Sequence, residues 1–259
     1  MTGQTVDRSG LERPFGRVVV GFTLSVLAIA LGVGTLAGTS TAVRWAIPTA
    51  AVAAIALAYC YRLLEHNHPA GASRPAFDSL GVANHVTLAR GGLFAAIAGF
   101  AFLEPTRWIG WLPALLYGAG SALDAVDGFL ARMNGRTTVL GAKLDMAFDS
   151  VGFVVGPVVA VLWGRLPVWY LSLSVARYLF LAGKTWRQRR GRPVFELPES
   201  RVRRPLAGFQ MAFITVALAP LVSAETIHTL AVVALLPSLL VFLRDYLVVS
   251  GRRGGGEQY

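Results

Sequence analysis

Four aspartates lie within or at the ends of apolar stretches of this sequence. Asp124 and Asp127 are three residues apart and Asp145 and Asp149 are four apart, so each pair lies on one face of its own helix. One Asp at the centre of a membrane helix costs about 2.5 to 3.5 kcal/mol, and less near a helix end. Four such residues therefore indicate a functional site whose negative charge is offset by cations.

These carboxylates predict an oxygen-rich site. The short connection through Asn134 and Gly135 makes the two helices antiparallel neighbours, so the four side chains converge near one membrane boundary. No Cys or His is close in sequence, and oxygen ligands suit Mg²⁺ or Mn²⁺ better than zinc. Two ions about 3.5 to 4 Å apart would suit four carboxylates around a phosphate. Arg132 is a candidate partner for that phosphate, because guanidinium binds such oxyanions bidentately. Small residues on the same segments leave room for a ligand: Gly128, Ala131 and Gly141.

The elements that must position this site are membrane helices. The chain of 259 residues has 54% hydrophobic and 15% charged residues, whereas ordinary globular proteins have about 25% charged residues. This composition argues against a soluble domain. A helix needs about 20 apolar residues to cross a bilayer. Eight stretches approach that length, at residues 18–38, 45–64, 85–104, 109–130, 141–162, 167–184, 206–222 and 227–248.

The basic residues predict how these spans are oriented. A net charge of +10 is also seen in nucleic-acid-binding proteins, but here the basic residues lie between long apolar runs, so we expect no nucleic-acid partner. In the predicted topology 19 of the 24 Lys and Arg residues lie on one side, three lie on the other and two lie within helices. The positive-inside rule then places both termini in the cytoplasm of a multi-pass cell-membrane protein.

The residues around the aspartates resemble a family signature. The segment from Asp124 to Asp149 reads D-x-x-D-G-x-x-A-R, eight residues, G, three residues, D, three residues, D. All eight fixed positions resemble the signature of the CDP-alcohol phosphotransferase (CDP-alcohol phosphatidyltransferase) family. Upstream, Asn84, Thr87 and Arg90 resemble the Asn-x-x-Thr-x-x-Arg element that starts that family's first core helix. The resemblance covers about residues 80 to 248.

The resemblance implies an all-α fold, a polytopic membrane helix bundle with a six-helix core and two additional N-terminal transmembrane helices. We predict a cytoplasmic segment at 1–17, the two additional helices in 18–64, a cytoplasmic linker at 65–83, the catalytic core at 84–248 and a cytoplasmic tail at 249–259. Within the linker, Phe77, Leu80 and Val82 predict the apolar side of a short interfacial helix, with an irregular loop as the equal alternative.

The resemblance also implies an integral-membrane enzyme of phospholipid biosynthesis. Such an enzyme moves a phosphoalcohol group, here of phosphatidyl type, from a CDP-alcohol to the hydroxyl of a small polar acceptor and releases CMP. It implies a homodimer and a divalent metal held by Asp124, Asp127 and Asp145, with Asp149 as a further ligand or the general base. Further residues are assigned to binding of the CDP group: Gly128, Ala131, Arg132, Gly141, Asn84, Thr87 and Arg90.

A basic cluster predicts the acceptor site. Arg177 lies within the sixth span, and Lys184 lies seven residues later on nearly the same face. Residues 203–210 loosely resemble the Gly-Lys-x-Lys-Thr-x-x-Gln segment of phosphatidylglycerophosphate synthases, with Gln210 matched. We therefore expect Arg177, Lys184, Arg204 and Gln210 to bind the acceptor. Glycerol 3-phosphate, inositol phosphate and serine stay open as acceptors, and membrane topology with anionic lipid is the alternative explanation for the surface residues.

A different function class competes with this prediction. Intramembrane carboxylates also mark cation pathways, so an ion-coupled transporter is the alternative. Clustering of the four aspartates at one membrane face argues against a path across the midplane. A scaffold without catalysis would leave the whole signature unexplained, so the enzyme is the preferred interpretation.

Overall fold

The computed structural model is entirely helical, apart from turns and loops, in the residues that it describes. These are residues 9–69, 77–106, 108–133, 137–198 and 200–252, and the side chains of Ser9 and of residues 125–133 are not among them. Eight α-helices follow one another: α1 (Ser9–Ala37), α2 (Thr39–Leu63), α3 (Gly81–Ala98), α4 (Leu112–Met133), α5 (Val139–Leu162), α6 (Ser172–Arg189), α7 (Arg203–Leu218) and α8 (Ala224–Val249).

Each of the eight predicted spans corresponds to one of these helices, and the polytopic helical bundle is confirmed. Five helices, α1, α2, α3, α5 and α8, are long and apolar enough to cross a membrane, judged from length and composition of the described residues. Helix α7 has only 16 residues, and basic residues interrupt the apolar character of α6. The chain is thus a multi-pass membrane protein in which some helices are shorter or more polar than a full span.

Helix α3 lies at the centre of the core and packs against α2, α4 and α5. Its Phe94, which is almost fully buried, lies between Gly120 of α4 and Gly152 of α5. A Cβ atom at either glycine would lie 2.9 Å from the Phe94 ring. Gly91 of α3 likewise faces Phe148 of α5, where a Cβ would be 2.8 Å from the ring. Glycine at these positions lets the three helices approach closely enough to share one site.

The hairpin of α1 and α2 packs on this core through α2. Trp45 Nε1 donates a hydrogen bond of 3.1 Å to the carbonyl oxygen of Ala96 in α3. A Cβ at Gly99 would lie 2.5 Å from the backbone oxygen of Trp45, so this contact also depends on glycine. Helix α1 lies outside α2, and its Phe22 ring reaches Gly92 of α3. The two additional helices are therefore attached to the core mainly by one of them.

The linker before α3 differs from the interfacial helix considered above. Asp78 and Ser79 form bends, and Val82 already belongs to α3. Leu80 is 2% exposed, so it packs in the core instead of lying on a membrane surface. The reason is Asn67, whose Nδ2 donates to the carbonyl oxygens of Phe77 and Ser79 at 3.0 Å each. These bonds fix an irregular backbone, and residues 70–76 lie outside the described residues.

Arg165 closes the end of the bundle between α7 and α8. Its guanidinium donates to the carbonyl oxygens of Ala217 at 3.1 Å, Ala219 at 2.6 Å and Val222 at 2.7 Å. These carbonyls lie at the end of α7 and in the turn that follows, where helix carbonyls lack partners within their own helix. One loop arginine thus fixes the turn that brings α8 back beside α7.

Candidate active site

Three of the four signature aspartates come together where α4 and α5 face α3. One carboxylate oxygen from each of Asp124, Asp145 and Asp149 lies within 4.8 Å of the others. Asp124 follows Gly120 by four residues and Asp149 precedes Gly152 by three, so the close glycine contacts with Phe94 occur within about one helical turn of the carboxylates. The packing of α3, α4 and α5 therefore builds this acidic cluster.

Arg90 of α3 reaches into the centre of the acidic cluster. Its side chain is completely buried. Its guanidinium donates to Asp124 Oδ1, to Asp145 Oδ1 at 2.6 Å and to the Asp145 backbone oxygen at 3.1 Å. It also lies 3.4 Å from Asp149 Oδ1. A buried charge needs paired partners, so Arg90 and the three carboxylates depend on one another.

The acidic cluster fits a divalent cation. The donors are carboxylate oxygens, which Mg²⁺ and Mn²⁺ prefer. Three carboxylates face the single positive charge of Arg90, so negative charge remains within the described residues. Asp149 Oδ1 is a buried oxygen that accepts no hydrogen bond from the described residues, although the Arg90 guanidinium lies 3.4 Å away. The side chains of Asp124 and Asp145 are 37% and 45% exposed, so ligands can reach the cluster from one side.

The start of α5 is fixed beside this cluster by a polar network. Thr138 caps the helix, with its Oγ1 accepting from the backbone N–H of Gly141 at 2.9 Å. Asn84 of α3 donates to Thr138 Oγ1 and to Asn67 Oδ1, both at 3.3 Å. A Cβ at Gly141 would lie 2.5 Å from Asn84 Oδ1. The predicted nucleotide residues Asn84 and Gly141 are thus in direct contact with each other.

The remaining predicted nucleotide residues are placed less fully. Thr87 is buried and its Oγ1 donates to the carbonyl oxygen of Ala83 at 3.0 Å. Three more nucleotide residues and the predicted metal ligand Asp127 have backbones that belong to α4. Their side chains lie outside the described residues; the three nucleotide residues are Gly128, Ala131 and Arg132. Their assigned roles stay predictions.

A cavity of about 290 Å³ adjoins α6, α7 and α8. Arg177 of α6 lines it, and its Nε donates to Ser150 Oγ at 2.9 Å while its NH2 donates to the Met146 carbonyl oxygen at 3.2 Å. Ser150 directly follows Asp149, so Arg177 connects the cavity with the acidic cluster. Arg204 also lines the cavity. Three of the four predicted acceptor residues, Arg177, Arg204 and Gln210, therefore line one cavity beside the carboxylates.

Gln210 and Lys184 are placed differently from Arg177. Gln210 lines the cavity but is 1% exposed, and its Oε1 accepts from the hydroxyl of Tyr170. Its Nε2 donates to the Ala234 carbonyl oxygen at 2.5 Å and to Ser238 Oγ at 2.7 Å. The amide is thus engaged in joining helices around the cavity. Lys184 is exposed and is not among the residues that line it.

Asp245 is a residue of this cavity that sequence reasoning missed. It is 5% exposed and lies in α8. Its carboxylate accepts from Arg203 Nε at 2.7 Å and pairs with Arg244 NH2 at 2.9 Å. The signal was available, because an acid near the end of the last apolar stretch also needs compensation. This pairing fixes the start of α7. Of the three arginines that line the cavity, Arg177 and Arg204 have no ion pair in the described part of the chain.

Known proteins share the segment that carries this site. A family model described as CDP-alcohol phosphatidyltransferase matches residues 80–244. Proteins named putative cardiolipin synthase from Mycobacterium tuberculosis and Mycobacterium bovis are 34% identical over 113 residues, 42% of this chain and 52% of each relative. A phosphatidylinositol phosphate synthase from Corynebacterium glutamicum is 40% identical over 68 residues, 26% of this chain and 30% of that protein. The chain thus spans about half the length, or less, of the curated relatives it matches.

Proposed function

The chain belongs to the CDP-alcohol phosphatidyltransferase family, and from this premise we propose that it transfers a phosphoalcohol group from a CDP-activated lipid to the hydroxyl of a polar acceptor, with release of CMP. The observation that carries the proposal is the convergence of Asp124, Asp145 and Asp149 around one buried arginine. The names of the relatives, putative cardiolipin synthase and phosphatidylinositol phosphate synthase, support a phospholipid as the product.

The acidic cluster is the proposed metal site. Asp124, Asp127 and Asp145 would hold Mg²⁺ or Mn²⁺, with Asp149 as a further ligand or the general base. When bound, the cation would polarise the diphosphate of the donor and offset its charge. The oxygen-only donors and the uncompensated negative charge of the cluster support this assignment.

Asp149 is the proposed general base. In the transfer, the acceptor hydroxyl gives its proton to Asp149, and its oxygen bonds to the phosphorus that carries the lipid alcohol. The bond between that phosphorus and the CMP oxygen breaks, and CMP leaves with the bond's electron pair. The position of Asp149 in the acidic cluster, with its side chain 27% exposed, supports this role because a base must lie within hydrogen-bond reach of the hydroxyl.

The nucleotide is proposed to bind along the start of α5 and the end of α4. Gly141 faces Asn84 in this region, and Gly128, Ala131 and Arg132 complete the signature. Thr87 and Arg90 hold the adjoining face of α3 in place. Glycine at position 141 lets Asn84 pack against the start of α5, because a Cβ there would lie 2.5 Å from Asn84 Oδ1, and this supports a fixed position for Asn84 in the nucleotide site.

The cavity between α6, α7 and α8 is the proposed acceptor site. Arg177 and Arg204 line it, and guanidinium groups favour a phosphate-bearing acceptor. Its volume of about 290 Å³ suits a small polar molecule such as glycerol 3-phosphate or inositol phosphate. Ser238 and Asp245 also line the cavity, but their oxygens are engaged by Gln210, Arg203 and Arg244, so the two cavity arginines carry the proposed contact with the acceptor. Gln210 supports the cavity through its own bonds to Tyr170 and α8.

The orientation and assembly belong to the same proposal. The excess of Lys and Arg on one side supports cytoplasmic termini and an active site that opens toward the cytoplasm. There it meets water-soluble acceptors and releases CMP into the same compartment. A homodimer is the expected assembly, and the mass of the purified protein in detergent measures it.

CMP release by the purified, detergent-solubilised chain tests the reaction. The donors are CDP-activated lipids with acyl or isoprenoid chains, with Mg²⁺, and the acceptors are glycerol 3-phosphate, inositol 1-phosphate, inositol and serine. We expect release that depends on one acceptor, is lost in Asp149→Asn and is kept in Glu225→Gln, an exposed acid in the first turn of α8. Absence of release with every pair, together with cation flux in proteoliposomes, would support the transporter instead.

A further inference from the structure

A long apolar groove lies between α1 and α2, outside the segment that matches the family. Its volume is about 560 Å³. All but one of the residues that line it are apolar or aromatic: Phe15, Val19, Phe22, Thr23, Val26, Leu27, Ala50, Ala53, Ala54, Leu57, Ala58 and Tyr61. The family core does not contribute to this lining, so the groove belongs to the additional hairpin.

The groove exists because small residues of α2 face larger residues of α1. Ala50, Ala54 and Ala58 line it and remain exposed. Nearer the turn of the hairpin the helices close up, since a Cβ at Gly34 would lie 3.5 Å from Ala42 Cβ. Helix α2 is held on the core by Trp45, so it is not free to tilt and fill the gap.

The dimensions of the groove fit one hydrocarbon chain. From Phe15 to Leu27 it runs for twelve residues of α1, or about 18 Å at 1.5 Å per residue. This is close to the depth of one leaflet, about half of a 30 Å hydrocarbon core. Spread over that length, 560 Å³ gives a cross-section of about 31 Å². A helix about 10 Å wide needs more than twice that area, so the helix of a second copy does not fit inside the groove.

The open end of the groove carries positive charge. Tyr61 and Phe15 face each other there, with ring centroids 5.5 Å apart. Arg62 follows Ala58 by four residues and so lies one turn beyond it on the same side of α2. Arg13 and Arg17 lie in the first turns of α1 at the same end of the hairpin. All three arginines are exposed, and none has an ion-pair partner in the described part of the chain.

We propose that the α1–α2 hairpin binds one anionic phospholipid. One acyl chain lies in the groove, and the headgroup phosphate lies at its mouth near Arg62, with Arg13 and Arg17 on the facing helix. Arginine binds phosphate bidentately, and long basic side chains extend from apolar surface to reach headgroups. This site is separate from the acidic cluster and does not depend on the proposed reaction.

Lipid binding by the full-length protein in detergent tests this site. Phosphatidylglycerol and phosphatidylcholine with identical acyl chains are added to delipidated protein, and bound lipid is counted by native mass spectrometry. We expect one tightly bound phosphatidylglycerol per chain and a preference over phosphatidylcholine that falls about fivefold in Arg62→Gln. Arg44→Gln, an exposed arginine near the other end of the hairpin, should keep the preference.

Filling the groove tests the position of the acyl chain. Ala54→Phe should abolish the tightly bound lipid, while Ala51→Phe, an exposed alanine of α2 outside the lining, should keep it. Unchanged melting temperatures would show that both variants fold. Equal affinity for the two lipids in the wild-type protein, or full phosphatidylglycerol binding by Ala54→Phe, would overturn the proposal. A change of oligomeric state in Ala54→Phe without loss of lipid would assign the groove to a second copy and overturn it as well.

Discussion

Replacing Arg90 with Gln removes the positive charge at the centre of the acidic cluster. Removing one partner of a buried ion pair costs about 3 to 5 kcal/mol. Here the three carboxylates are between 27% and 45% exposed, and solvent screens part of their repulsion. We therefore expect a smaller cost than that range, about 2 to 3 kcal/mol in Mg²⁺-free buffer. At about 2 to 4 °C per kcal/mol for a chain of this size, the melting temperature should fall by roughly 4 to 12 °C.

Added Mg²⁺ should recover most of this loss in Arg90→Gln. A ligand at 100 times its dissociation constant stabilises the folded state by about 2.7 kcal/mol, which is comparable with the predicted cost. Thermal unfolding in detergent, followed by tryptophan fluorescence with and without Mg²⁺, measures both effects. Arg44→Gln is the matched control, because Arg44 is exposed and has no ion pair in the described residues. A melting temperature within about 1 °C of wild type without Mg²⁺ would refute the mutual dependence of Arg90 and the aspartates.

Three further variants test the cavity and the core. Arg177→Gln should raise the KM for a phosphorylated acceptor at least about tenfold, because a charge-assisted hydrogen bond is lost. The KM for the CDP-lipid should not change. Equal rises in both KM values would show that Arg177 does not belong to the acceptor site. Gly152→Ala should lower stability by about 1 to 3 kcal/mol in thermal unfolding, because its Cβ would lie 2.9 Å from the Phe94 ring, and unchanged stability would show that the ring has room to move. Gln210→Leu should destabilise by about 1 to 3 kcal/mol by leaving the Tyr170 hydroxyl without its partner, and a variant of full stability that only raises the acceptor KM would make Gln210 a ligand instead.

The helices could be predicted from the sequence because apolar stretches of membrane length leave few alternatives. Their exact ends could not be predicted from hydropathy alone. Helix α1 begins at Ser9, well before the apolar stretch that starts at residue 18. Its first turns contain polar residues in helical geometry, and hydropathy does not detect them. In the linker, an interfacial helix and an irregular loop were equal alternatives, and Leu80 is buried. The side-chain bonds of Asn67 to the carbonyls of Phe77 and Ser79 are invisible in a local pattern.

The acidic cluster was predictable in composition but not in its internal pairing. Spacing placed Asp145 and Asp149 on one helical face, and the family resemblance assigned Arg90 to the CDP group. In the structure Arg90 instead pairs with the aspartates from a different helix, which no local pattern indicated. The same holds for Gln210, whose amide is engaged by residues 24 to 40 positions away. Asp245 differs from Gln210, because an acid in an apolar stretch can be recognised from the sequence as a residue that needs a partner. That the partner is Arg203 could not be predicted.

The fate of the lipid-linked phosphorus tests whether the chain transfers the phosphoalcohol group from the CDP-lipid to the acceptor. Purified chain is given Mg²⁺, the acceptor identified by CMP release and a CDP-lipid labelled with ³²P at the phosphorus that carries the lipid alcohol. We predict that the label moves into the new lipid in equal amount with unlabelled CMP, and that Asp149→Asn stops both. Label recovered in the water-soluble nucleotide, or transfer at the wild-type rate in Asp149→Asn, would contradict this prediction.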